Sequence, residues 1–245
     1  MGLNGKLSLV SEQYERAARL YPALLALLPL LIVQLTTSVL AKPLATQLVT
    51  LLGACGITYL LANVSRMLGK AQENKLFQAW GGIPTTQMLR HENDLIDPHT
   101  KQRYHAFLAR KIKAEFPVPE NEDASPKAAD DIYRAGVKWL LGKTRDKKQF
   151  ALLFKENVSY GFHRNGFGLR WIGCLISLAS IMWLVIANQA YNAHAWLTLP
   201  TGQIVTMGLA VVMTLAWLTY FTEARVKQAA FAYAEMLLRA CDEMR

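Results

Sequence analysis

The chain has 245 residues, of which 52% are hydrophobic and 18% charged, and its formal net charge is +9. Soluble domains carry about a quarter charged residues, so an ordinary soluble globule is excluded and an anionic partner or anionic membrane surface is implied. Cys55, Cys174 and Cys241 lie far apart with no CxxC spacing, which excludes a zinc knuckle and a disulfide framework.

The apolar residues fall into four blocks. Before the first, "SEQYERAARL" reads as an interfacial helix within a cytoplasmic segment 1–20. The blocks Tyr21–Leu40 and Gln47–Val64 each approach the ~20 apolar residues that cross a bilayer. Only "AKPLAT" separates them, so 21–64 predicts a transmembrane hairpin. The first block exceeds the apolar core of a cleaved signal peptide and is read as a retained span.

Residues 65–170 predict a basic helical cytoplasmic domain. "SRMLGKAQENKLFQAWGG" continues the second span as a helix, stopped by Gly81, Gly82 and Pro84. Thr85 or Thr86 then caps a new turn. "TKQRYHAFLARKIKAEF" is amphipathic, with Tyr104, Phe107, Leu108 and Ile112 on one face. "PVPENEDASPK" predicts a loop, Ala128–Leu141 a third helix, "GKTRDKK" a basic turn and "QFALLFKENVSYGF" a fourth helix. A second hairpin, 171–221, follows from the blocks Trp171–Ala187 and Gln203–Phe221, neither charged in its interior. The tail 222–245 reads as one cytoplasmic helix that prolongs the fourth span.

Orientation follows from the basic residues. Arg66–Arg170 holds 19 of the 27 Lys and Arg, and the two short connectors on the other side hold only Lys42. Both termini and the central domain therefore face the cytoplasm. The fold class is an all-α membrane protein of four spans in two hairpins.

The stretch "GGIPTTQMLRHENDLIDPHTKQRYH" concentrates chemistry. His91, Asp94, Asp97, His99 and His105 are potential metal ligands, but their spacing matches no metal motif, and a turn in which Asp97 and Pro98 start a helix capped by Thr100 explains part of it. No metal and no cofactor is assigned. Phosphate binding fits better: Arg90, His91, Lys101 and Arg103 here, Arg145, Lys147 and Lys148 in the basic turn, and Tyr160 and Arg164 beyond it are the expected ligand-binding residues. A membrane-facing basic collar accounts for Arg66, Lys70, Arg164 and Arg170 equally well. No GxSxG or Walker motif is present and no catalytic residue is assigned, so the chain is not read as an enzyme. The spans carry no interior charge, which argues against a proton relay. Their small polar residues pack helices, or line a pore in an oligomer; Gln34, Thr37, Thr46, Thr50 and Gly53 are the expected pore-lining set.

The two-hairpin layout and the basic stretches "MLRHENDLIDPHTKQRYH" and "GKTRDKKQF" resemble the transmembrane effector of Hailong-type bacterial anti-phage systems. That resemblance implies a homo-oligomer, tetrameric by analogy, gated by single-stranded DNA oligomers from a nucleotidyltransferase partner, and toxic to the membrane when unrestrained. The expected function is an oligomeric effector or channel gated by an anionic nucleotide or oligonucleotide. A membrane-bound phosphodiesterase or nuclease, and a scaffold subunit of a membrane complex, are the alternatives.

Overall fold

The computed structural model describes residues 14–36, 44–188 and 199–244, without the side chains of Leu35 and residues 44–52. The described residues are all-helical, with no strand. A π-helical turn, Arg16–Leu20, leads into α1 (Tyr21–Thr36). Then come α2 (Leu44–Ala79), α3 (Pro84–Leu89), α4 (Pro98–Ile112), α5 (Pro119–Ala124), α6 (Pro126–Lys143), α7 (Ala151–Ala187), α8 (Thr201–Thr219) and α9 (Glu223–Glu243). The chain divides into two compact units, the first made of Met1–Gln72 and Gly161–Val226, the second of Glu73–Tyr160 and Lys227–Arg245.

Three stretches among the described residues are long and apolar enough to cross a membrane: Arg16–Gln34, Ala151–Ala187 and Thr201–Thr219. The second apolar block lies in α2, partly outside the described side chains. In the first unit the apolar faces turn outward. Trp171, Leu175, Leu178, Met182 and Ile186 repeat every three or four residues along α7 and are more than half exposed. Water would penalise such a stripe, whereas acyl chains solvate it. The opposite face of α7 carries Gly173, Ser177, Ser180 and Leu184. A Cβ on Gly173 would stand 2.3 Å from the Trp217 ring, and one on Gly166 would stand 2.0 Å from the ring of Phe221. Gly173 lets α8 approach α7, and Gly166 makes room for Phe221 just beyond α8. Ser177 and Ser180 are 0% and 2% exposed, and each donates to the carbonyl one turn back, at 2.9 and 2.8 Å. The small polar stripe of the third block is thus a packing surface within the protomer.

The second unit is built around α6. Its Tyr133, Val137 and Leu140 meet Leu89, Tyr104, Phe107 and Leu108 of α3 and α4, and Leu237, Leu238 and Cys241 of α9, in one core. Gly136 permits the close approach of α4, because a Cβ there would lie 3.0 Å from Phe116 and 3.4 Å from Leu108.

Four local expectations are corrected. Gly81 and Gly82, at φ +89 and +139, do end α2, but α3 starts with Pro84 behind Ile83 and no threonine side chain caps it. The cap of α4 is Asp97, whose carboxylate accepts the Thr100 N–H at 2.9 Å; the threonine is the capped residue. The acidic "PENEDA" forms α5 instead of a loop: Pro119 presets the first turn and Glu120 and Glu122 face its positive end. The tail does not simply prolong the fourth span, because α8 stops at Thr219 and α9 starts at Glu223.

Candidate anion-binding surface

The basic end of the second unit is assembled from three elements. Helix α4 finishes with Arg110 and Lys111 and is closed by Lys113 in the left-handed conformation, φ 54. Helix α6 finishes with Lys143. Positive side chains suit both helix ends, where the backbone dipole is negative. The following turn is shaped by Asp146, whose side chain accepts the Lys148 N–H at 2.9 Å and whose carbonyl accepts the Phe150 N–H at 2.9 Å. That turn displays Arg145, Lys147 and Lys148.

Three aromatic rings organise these cations, and Lys111 stands 5.2 Å from the centre of one of them, Phe107. The Lys111 and Lys143 ammonium groups stand 5.9 and 6.0 Å from the centre of the half-buried Trp139 ring. Lys147 stands 4.2 Å from the centre of the Phe154 ring. Burial against this apolar surface lowers the pKa of Lys147. Lys111, Lys143, Arg145 and Lys148 are exposed, and among the described residues none of the five has a carboxylate ion-pair partner. Cations gathered on aromatic faces without a paired acid form a surface that an anion stabilises, with flat ring edges beside it.

The sequence pointed to Arg145, Lys147 and Lys148 and missed Lys111, Lys143, Trp139 and Phe154. Lys111 and Trp139 are 28 residues apart, and only the packing of α4 on α6 joins them.

The stretch from Gly81 to His105 forms a separate network within the same unit. Arg90 grips Asp130 bidentately, Nε at 2.9 Å and Nη2 at 2.7 Å, and Nη1 donates to the Gly81 carbonyl at 3.1 Å. The pair raises the pKa of Arg90. The His91 backbone N–H donates to both carboxylate oxygens of Glu122, at 3.1 and 3.2 Å. Its ring Nε2 donates to the Pro117 carbonyl at 2.9 Å. Lys101, only 5% exposed, donates to the carbonyls of Arg90 at 2.7 Å, His91 at 3.4 Å, and Asn93; burial lowers its pKa. His105 Nε2 donates to the Leu89 carbonyl at 2.8 Å. Burial pushes the His105 pKa down to about 4, so the ring is neutral at physiological pH. Tyr133 completes the network by donating to Glu122 at 2.5 Å, and burial raises its pKa.

The nine expected ligand residues therefore do not converge. Arg90, His91 and Lys101 hold the α3–α4 turn together. Arg103 faces Asp242 of α9 at 3.4 Å. Tyr160 donates to Glu73 at 2.7 Å. Arg164 belongs to the first unit, where it donates to Asn165 at 3.2 and 3.1 Å. Among the described residues, no group of three or more His, Cys, Asp and Glu side chains is placed to hold a metal. Of the expected pore-lining residues, Gln34 is half-buried and Gly53 exposed, with nothing within 4 Å of where its Cβ would stand. The side chains of Thr46 and Thr50, and all of Thr37, lie outside the described residues.

Comparison of the chain with protein-family models, with curated proteins and with solved structures found no match.

Proposed function

We propose that this protein is an oligomeric, four-span effector of a bacterial inner membrane, with its second unit and both termini in the cytoplasm, gated by an anionic nucleotide or oligonucleotide bound at the basic end. The observation that carries this reading is the set of cations around Trp139 and Phe154, unpaired among the described residues. It occurs in a chain with three helices long and apolar enough to span a bilayer. The fourth span is the apolar first half of α2. Phosphates replace the missing carboxylates, and unstacked bases find the Trp139 ring. Helices α2, α7 and α9 contribute residues to both units, which gives a bound ligand a covalent route to the spans.

Gating requires that the ligand bind one state better than the other, and a water-filled path requires several protomers. The resemblance to the Hailong-type transmembrane effector belongs to the same proposal, as do the tetramer and the nucleotidyltransferase partner. The test is oligonucleotide binding to purified full-length protein across a salt series, paired with membrane potential in expressing cells. Lys143→Ala, Lys147→Ala and Lys148→Ala combined should weaken binding and flatten its salt dependence, and ligand should change the depolarisation. Unaltered binding in the triple variant removes the basic end as the site. An unchanged membrane potential under every ligand condition removes the channel.

A further inference from the structure

A second opening in the second unit has different chemistry. It is a half-open cavity of about 280 Å3 and uses none of the cations of the basic end. Aromatic rings of Phe77, Tyr160 and Tyr233 form part of its wall, and the methyl side chains of Ala230 and Ala234 leave the space open. The Tyr160 and Tyr233 rings are parallel within 5° with centroids 6.2 Å apart.

Its polar groups are few. Thr85 is 6% exposed and lines the cavity. Arg134 and Lys138 stand one turn apart on α6 and line the cavity. Arg134 pairs with Asp131 at 2.6 Å, whereas Lys138 has no ion pair among the described residues. Glu73 is the carboxylate of the lining, and it accepts the Tyr160 hydroxyl at 2.7 Å, which fixes that ring.

We propose that this cavity binds a small aromatic acid, a single ring with a short carboxylate arm. Its volume equals that of about nine waters at ~30 Å3 each, so it takes a ligand of roughly that many non-hydrogen atoms. That is one ring with its acid. The ring lies against Phe77 and the two tyrosines, where aromatic edges and faces complement it. The carboxylate meets the ammonium of Lys138. An apolar pocket with a few convergent polar groups is the usual form of a small-molecule site. This inference is independent of the basic end and of the channel reading.

The experiment measures binding of phenylacetate to the full-length protein in detergent by ligand-observed NMR. Cyclohexylacetate, octanoate and 2-phenylethylamine serve as probes of aromaticity, shape and charge. Saturable binding of phenylacetate is expected, with each of the other three weaker by about tenfold. Lys138→Glu, an exposed substitution, should weaken phenylacetate by about tenfold with no change in melting temperature. Ala234→Phe should abolish binding by filling the space. Should Ala234→Phe fail to fold, Lys138→Glu decides alone. Cyclohexylacetate, octanoate or 2-phenylethylamine binding as tightly as phenylacetate overturns the proposal, as does unaltered affinity in Lys138→Glu, or no phenylacetate binding at millimolar concentration.

Discussion

Replacing His105 with glutamine will remove a specific part of the acid sensitivity of the second unit. The imidazole is 7% exposed and packs against His91, Phe116 and Tyr133, with ring centroids 5.0 to 5.3 Å away. Burial is the main cause of its depressed pKa; nearby His91 and Lys101 add to it, and the Leu89 carbonyl and Glu122 oppose it. Above pH 6.5 the ring is neutral in both folded and unfolded chains and adds no pH dependence. As pH falls from 6.5 toward about 4, the unfolded chain takes up a proton that the folded chain refuses, so stability is lost across that window. At about 1.4 kcal/mol per pH unit the loss reaches about 3 kcal/mol. Glutamine keeps a donor for the Leu89 carbonyl and does not titrate. Hydrogen exchange of peptides from α4 and α6 in the full-length protein, corrected for intrinsic rates, gives opening free energies at pH 7.5 and 4.5. The wild type should lose about 2 to 3 kcal/mol more than His105→Gln over this interval. Parallel losses in the two proteins would show that His105 takes its proton in the folded state as readily as in the unfolded one, and would refute the reasoning.

Other consequences are as direct. Gly173→Ala should lower the melting temperature of the purified protein through overpacking against Trp217, which costs about 1–3 kcal/mol, whereas Gly208→Ala, with nothing within 4 Å, should be neutral or slightly stabilising. Tyr133→Phe removes one of the donors to the buried Glu122 and should cost about 1–3 kcal/mol in denaturant or thermal melts. Lys111→Ala should reduce the salt slope of single-stranded oligonucleotide binding by about 0.7 if Lys111 contacts one phosphate; an unchanged slope removes it from the surface. With Lys148→Cys in a Cys55→Ser background, a membrane-impermeant thiol reagent should label inside-out vesicles and spare intact cells. Labelling of intact cells would reverse the proposed orientation.

Local signals were legible in the sequence and distant pairings were not. Asp97 followed by Pro98 announces a helix start within four residues, and Gly81-Gly82 before Pro84 announces a stop; both needed only neighbours. The uncharged runs of 171–187 and 203–221 are likewise visible as composition. The basic residues of the Gly81–His105 stretch look identical to ligand-binding ones until their partners are known. Arg90 meets Asp130 from 40 residues away, so its charge is spent on the fold, and the His91 backbone N–H meets Glu122 from 31. The break between α8 and α9 was hidden because no Gly or Pro stands between Thr219 and Glu223 to mark it. Trp139 gave no sign of collecting lysines from two helices, since one of the two, Lys111, comes from a different helix.

The core of the second unit has an order-of-synthesis problem. Ala234, Leu237, Leu238 and Cys241 are at most 1% exposed and pack with Leu89, Leu108 and Leu140. The ribosome makes the 66 residues Gly161–Val226 of the first unit between the two parts of that core. At about 5–20 residues per second this takes roughly 3 to 13 s, during which Leu89, Leu108 and Leu140 lack their α9 neighbours. The nascent chain therefore carries an unfinished apolar surface while α7 and α8 are being made, and any factor that shields emerging chains will meet this unit before α9 closes it.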